Sequence, residues 1–279
     1  MERAILLSQN KQLDLATDDY KRAWEISQNE GVALEYVSNL LLVNKLKQAV
    51  ELLNECILKF PDNTDFRRRL AEVYSETGNA DRSMLQYDTI LQKDPENFEA
   101  WYDKGIVLGK MKDTAGAIDA LEKSFAIQPV AYSGLALANL YSSTKNPKAL
   151  QICDILIARD SLNTQTDAVY MKGVYYAETH QYEQALKQFE ECIKRDWKMT
   201  DAYIEKGIVF YEQKKYDTAL ATFNMSITVS NTNADGYYWS GRCYEVMGDK
   251  NKAIENYERA ISLDRSFTEA ARRIMELKK

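Results

Sequence analysis

Proline is scarce in this chain, four in 279 residues, and glycine contributes only eleven. With so few breakers, long helices are permitted almost everywhere. Histidine occurs once, at His180, so no Ser-His-Asp, Cys-His or multi-histidine metal constellation can be assembled. The four cysteines, Cys56, Cys153, Cys192 and Cys243, lie far apart with no CxxC pair, each inside an apolar helical pattern. They read as buried free thiols, not as a disulfide framework or a zinc site. No stretch approaches the roughly 18–20 apolar residues that a membrane span needs. Met1 to Leu15 mixes charges and amides with apolar residues and carries no signal-peptide core.

Basic surplus is missing too. The formal net charge is −6, which argues against nucleic acid, since phosphate binding needs a basic surface. The run Arg67-Arg68-Arg69 reads as a solvated face. Carboxylate pairs such as Asp18-Asp19 and Glu190-Glu191 read as solvating charge on mixed helical faces. The expectation is no catalytic residue, no metal and no cofactor. Free thiols and the absent signal core favour a cytoplasmic location; the alternative is a periplasmic or exported protein whose leader has been removed.

What the chain does have is a period. Segments beginning at Thr166, Thr200 and Ala234 superpose at intervals of 34 residues. Each has glycine at its eighth position (Gly173, Gly207, Gly241) and an aromatic three residues on (Tyr176, Phe210, Tyr244). Each has alanine at its twentieth (Ala185, Ala219, Ala253) and a second aromatic four residues later (Phe189, Phe223, Tyr257). The same ruler finds Trp101, Gly105, Ala117 and Pro129 from Phe98, and Ala71, Tyr74, Tyr87 and Pro95 from Thr64. From Glu30 it finds Ala49 and Pro61 but puts Val37 where a small residue is expected. Positions 4, 7, 8 and 11 share one helical face, and 20, 24 and 27 share a face of a second helix. Small residues at 8 and 20 let the two helices of a unit approach, with turns such as Gly78-Asn79 and Gly248-Asp249 between them.

These offsets resemble the tetratricopeptide repeat, whose pattern is Trp-x2-Leu-Gly-x2-Tyr followed by Ala, an aromatic, Ala and Pro. The resemblance implies an all-α fold, a right-handed superhelical solenoid of stacked antiparallel helix pairs. The expected units are 1–29 (partial), 30–63, 64–97, 98–130, 131–165, 166–199, 200–233 and 234–267, with 268–279 as a capping helix in a single solenoid. The unit at 131 is irregular: Leu137, Ala138 and Tyr141 match, but Ala149 reaches its place only if the inner turn is one residue short. In the last segment Ala271, Ile274, Met275 and Leu277 form the apolar stripe.

In the family the first helices line a concave groove, with positions 2, 5, 6, 9, 12 and 13 pointing into it. That resemblance nominates Tyr102, Asp103 and Ile106, then Tyr170, Met171, Val174 and Glu178. It next nominates Asp201, Ile204, Glu205, Ile208, Tyr211 and Glu212, and finally Asp235, Tyr238, Trp239, Arg242 and Glu245. Aromatic and aliphatic groups interleave with carboxylates, as in a surface with amphipathic anchors. Part of this set is alternatively read as packing between neighbouring first helices. The Lys/Asn/Arg clamp with which one subgroup holds acidic chaperone tails is absent. The implied function is a scaffold or adaptor that binds a peptide or client segment, apolar or basic rather than acidic. The alternative is a self-associating structural or assembly protein, as a homo-oligomer or as the soluble part of an exported or membrane-anchored parent.

Overall fold

A computed structural model describes residues 1–160 and 166–278 of the chain. Among them, every regular element is an α-helix. The expected unit 131–165 therefore ends on residues outside the described set, and so does Lys279 of the capping segment. By their contacts the helices fall into two compact units, Met1–Pro129 and Val130–Lys279.

The first unit runs α1 (Glu2–Gln9), α2 (Leu13–Ser27), α3 (Glu30–Leu42), α4 (Leu46–Lys59), α5 (Thr64–Glu76), α6 (Ala80–Lys93), α7 (Phe98–Lys110) and α8 (Thr114–Ile127). The second runs α9 (Ala131–Ser143), α10 (Lys148–Arg159), α11 (Thr166–Glu178), α12 (Tyr182–Arg195), α13 (Thr200–Glu212), α14 (Tyr216–Val229), α15 (Ala234–Val246), α16 (Lys250–Leu263) and α17 (Thr268–Leu277). Within each unit, consecutive helices form hairpins stacked side by side.

Local chemistry sets the helix ends. Asparagine stands just before several first helices and caps them: Asn29 accepts from the Gly31 N–H, Asn63 from Asp65, Asn97 from Ala100 and Asn233 from Gly236. Each such bond satisfies one of the orphan donors of a helix start. Asp113 and Asp249 do the same for the second helices α8 and α16. Between the helices of a pair, one residue always takes the left-handed conformation at the same offset: Asn44, Gly78, Lys112, Lys145, His180, Lys214 and Gly248.

The pair α9–α10 keeps that left-handed residue in phase, at Lys145, so the turn itself is of normal length. The missing residue is lost from the opening of α10 instead. There Ala149 N–H bonds the Asn146 carbonyl and Leu150 N–H bonds the Pro147 carbonyl, both three residues back. This tighter 3₁₀-type start brings Ala149 and Cys153 into the core one residue early.

Packing inside the hairpins that carry a ring at position 24 depends on a size exchange, whereas in α7–α8 the residue facing Gly105 is Leu121. The small residue at position 8 does more than let two backbones approach; it vacates the space filled by the ring at position 24. A Cβ on Gly173 would lie 2.5 Å from Phe189 Cε1, and one on Gly241 would lie 2.7 Å from Tyr257 Cδ1. Phe189, Phe223, Tyr257 and Tyr87 are in consequence fully buried, each ring contributing roughly 2–3 kcal/mol by removal from water. Where position 8 is Val37, which is also fully buried, position 24 is Leu53, a smaller group than a ring. The expected small residue at 37 is thus replaced by a different volume split.

The end helix differs from its expected stripe. Ala270 is buried, and Ile274 and Leu277 pack against Tyr257 and its neighbours, whereas Ala271 and Met275 face solvent. The docked stripe runs 270, 274 and 277, because the Tyr257 surface lies on that side of α17.

Candidate partner-binding face

Tyr102 and Asp103 lie on α7 of the first unit. Asp103 is engaged from within: Arg68 Nε on α5 stands 3.3 Å from its Oδ2. The same guanidinium pairs with Glu72 at 3.7 Å and with Glu99. Burial pushes the Asp103 carboxyl up to about 6; Arg68 pulls the other way, and Glu72 and Glu99 add to the rise. Tyr102 is half-buried beside it, its hydroxyl raised by burial and by Asp103. The basic run at 67–69 is not simply a solvated face. Arg67 donates to Gln86 Oε1 at 3.1 Å and Arg69 to Ser38 Oγ at 3.1 Å. Its three cations are committed to contacts with neighbouring helices.

Ile106 is also on α7, half-buried, and the other nominated residues lie on α11, α13 and α15, which pack side by side in the second unit. Tyr170, Met171 and Val174 are half-buried along α11. The Tyr170 ring tilts against Phe189 at 5.9 Å, and Val174 joins the same cluster. On α13, Ile204 is buried, while Ile208 and Tyr211 are half-buried against Phe223 and Cys243. On α15, Trp239 stacks on Phe223 at 6.0 Å and meets Tyr211 and Tyr238 edge-on at 5.5 and 5.6 Å. These aromatic rings therefore divide their surface between interhelical packing and solvent.

The carboxylates of this face are unlike Asp103. Glu178, Asp201, Glu205 and Asp235 form no ion pair among the described residues. Lysines nearby in sequence are used elsewhere: Lys172 pairs with Asp154 at 2.6 Å and Lys206 with Glu190 at 3.0 Å. Burial, then the fields of Glu178, Asp201 and Asp235, push Glu205 up to about 7. Asp235 is likewise raised by burial and by Asp201 and Asp264, and the Tyr170 hydroxyl by burial, Glu205 and Asp201. An uncompensated patch of negative potential thus lies among half-buried apolar groups.

Arg242 stands at the other end of the face. Its Nη1 donates to the Tyr238 hydroxyl at 3.2 Å and its Nη2 to the Tyr211 hydroxyl at 3.4 Å. Its guanidinium carbon lies 5.7 Å from the Tyr211 ring centroid and 5.8 Å from that of Trp239.

Other chemistry is sparse. All four thiols are buried, and burial pushes each up to about 12. Among the described residues, no group of three or more His, Cys, Asp or Glu side chains is placed to hold a metal ion, and no helix is long and apolar enough to cross a membrane. His180 is an exposed turn residue whose Nδ1 lies 3.0 Å from the Tyr182 hydroxyl. A cleft of about 540 Å³ lies between α2 and α4, with Trp24, Tyr36, Glu51 and Glu55 along it. Its two aromatic rings are almost wholly buried, so they offer a ligand little surface.

Tetratricopeptide repeat profiles match residues 40–103, 98–130, 170–234 and 234–267. The chain belongs to the tetratricopeptide repeat family. The stretch between residues 130 and 170, which includes the tightened hairpin α9–α10, is not spanned by these repeat matches. A tetratricopeptide repeat protein from Parabacteroides merdae has the same fold with a TM-score of 0.72 at 15% identity, over 88% of this chain and 98% of that one. PilW, a widely conserved type IV pilus biogenesis factor, aligns with a TM-score of 0.63 at 16% identity, over 77% of this chain and 99% of its own. Yeast Tom70 aligns with a TM-score of 0.53 at 15% identity, over 95% of this chain and 76% of its own. At these identities the likeness is one of fold. No curated protein matches by sequence.

Repeat positions specify which helix faces these residues share but not how their charges are paired. That Asp103 has a cation within ion-pair distance while Glu205 has none among the described residues depends on which residues stand on the adjacent helices. Likewise the Arg242–Tyr211 contact joins residues 31 apart, and the only sequence signal for it is the recurrence of tyrosine on consecutive first helices.

Proposed function

We propose that the α11–α13–α15 face of the second unit holds a segment of another polypeptide whose side chains are apolar and basic. Membership of the tetratricopeptide family supports the coarser role, a protein-interaction scaffold, and repeats of this kind are generally non-enzymatic. One observation carries the finer reading: Glu178, Asp201, Glu205 and Asp235 form no ion pair among the described residues, and the fields of the other three add to burial in raising Glu205 to about 7. Like charges held together without a counterion cost free energy in the unbound protein. A lysine or arginine of a partner relieves that cost on binding. Half-buried Tyr170, Ile208 and Tyr211 beside them supply apolar contact with little ordering entropy.

The test uses random linear peptides displayed as N-terminal fusions on phage and selected on the intact chain. Enriched peptides should carry lysine or arginine beside an aromatic or branched aliphatic residue. The same selection on a variant combining Asp201→Asn, Glu205→Gln and Asp235→Asn, shown by its melting curve to be folded, should lose the basic preference. Peptides without basic residues, or equal binding to the variant, would overturn the reading.

A further inference from the structure

Arg242 is the one cation among the residues nominated on this face, and it has no anion. Among the described residues it forms no ion pair, and the carboxylates at this end of the unit are taken by others. Glu245 accepts from Arg273 at 2.9 Å and from the Tyr257 hydroxyl at 2.6 Å, and Glu269 pairs with Arg272 at 2.6 Å. The buried Nε–H of Arg242 has no acceptor among the described residues.

What surrounds Arg242 is a set of donors. A guanidinium offers five N–H groups and no acceptor. Tyr211 and Tyr238 receive one N–H each, which occupies a lone pair on each phenol oxygen and leaves its own proton to give. Neither hydroxyl donates to any described residue. Two O–H donors, each polarised by a cation already bonded to it, therefore adjoin a planar guanidinium fork. Trp239 and Tyr211 hold the fork in place by ring contact. Such a cluster has donors to spare and no anion among the described residues, and the group complementary to it is a carboxylate, whose two oxygens take N–H and O–H together.

We propose that Arg242, with the Tyr211 and Tyr238 hydroxyls, receives an aspartate or glutamate side chain of the polypeptide segment bound on this face. The inference rests on the reading of the face as a peptide site and adds a second, opposite charge to that segment. Glu205 and Tyr211 are six residues apart on α13, about 9 Å along its axis. About three residues of extended chain cover that distance. One short segment then presents a basic residue to Glu205 and an acidic one to Arg242, and the pair of charges sets its direction. Partners bearing only basic residues would leave Arg242 unanswered.

The phage selection decides this with variants at the other end of the face. N-terminal fusion offers no free C-terminus, so any acidic enrichment must come from side chains. On the parent chain, enriched peptides should carry aspartate or glutamate about three residues from the lysine or arginine. Replacing that acid by its amide in a synthetic peptide with an amidated C-terminus should weaken binding roughly tenfold or more. Arg242→Gln should remove the acidic preference and keep the basic one. Where Arg242→Gln lowers the melting temperature too far to select on, the pair Tyr211→Phe and Tyr238→Phe, which keeps rings and cation, should also lose it. Basic enrichment without an acidic partner, or an acidic preference unchanged in these variants, overturns this inference and leaves the peptide face standing. Binding seen only with peptides that have a free C-terminus also overturns it, assigning Arg242 to a terminal carboxylate. A selection that enriches nothing overturns the face and this inference together.

Discussion

Gly207 on α13 and Phe223 on α14 occupy what would otherwise be one volume. A Cβ at 207 would fall inside the contact distance of the Phe223 ring, with Cδ1 at 2.7 Å, and Phe223 itself is wholly buried. The ring is enclosed by the hairpin that contains it and by Trp239 of the next helix, so it cannot swing out to make room.

Substituting Gly207 should therefore cost stability in proportion to the added volume. Gly207→Leu is expected to destabilise by roughly 1–3 kcal/mol through overpacking. Gly109 is also helical, but a Cβ placed on it would meet no atom within 4 Å. There Gly109→Ala should be neutral or stabilising by about 0.5 kcal/mol, through helix propensity alone. Urea melts of both variants check the contrast. Equal effects would mean that the ring at 223 is not held where the structure has it.

The left-handed turn residues make a second pair. Lys214 has φ of 61° and Gly248 has φ of 86° at equivalent positions. A side chain in this region costs about 1–2 kcal/mol, partly offset by glycine's greater freedom in the unfolded chain, about 0.4–1 kcal/mol. Lys214→Gly should raise stability by about 0.5–1 kcal/mol, and Gly248→Ala should lower it by a similar amount. Opposite signs in thermal melts of the two variants are the expected result; a shared sign would contradict the turn geometry.

Glu205 predicts a pH dependence. Its carboxyl is raised from an ordinary 4.5 to about 7, first by burial and then by Glu178, Asp201 and Asp235. Between those values the folded chain keeps a proton that the unfolded chain has released. The stabilisation this represents is complete below about 4.5 and is lost as pH rises through about 7. Glu205→Gln should melt higher than the parent at about pH 8, by on the order of 1 kcal/mol or more, with the difference vanishing near about pH 4. A constant offset at both pH values would assign the effect to packing instead of titration.

Much of this architecture is local and was therefore legible along the chain. Helix faces recur because residues three and four apart share a side. Pairs close because a single residue such as His180 or Lys214 turns left-handed at one offset, and first helices start where Asn63, Asn97 or Asn233 can cap them. Position 207 was readable as small for the same reason, since its partner ring lies in the same repeat.

Other features were settled only by contact between repeats. The acids at 103 and 205 both stand at nominated repeat positions, one in each unit, yet Arg68 of the preceding hairpin answers one and no cation among the described residues answers the other. Tyr211 and Arg242 lie 31 residues apart and meet because their helices are neighbours. Periodicity specifies which side of a helix a residue takes, and that much the amino-acid order determined. Electrostatic pairing falls off over a few ångströms and depends on the particular side chain across the gap, so only the stacked helices decided where charge was left over.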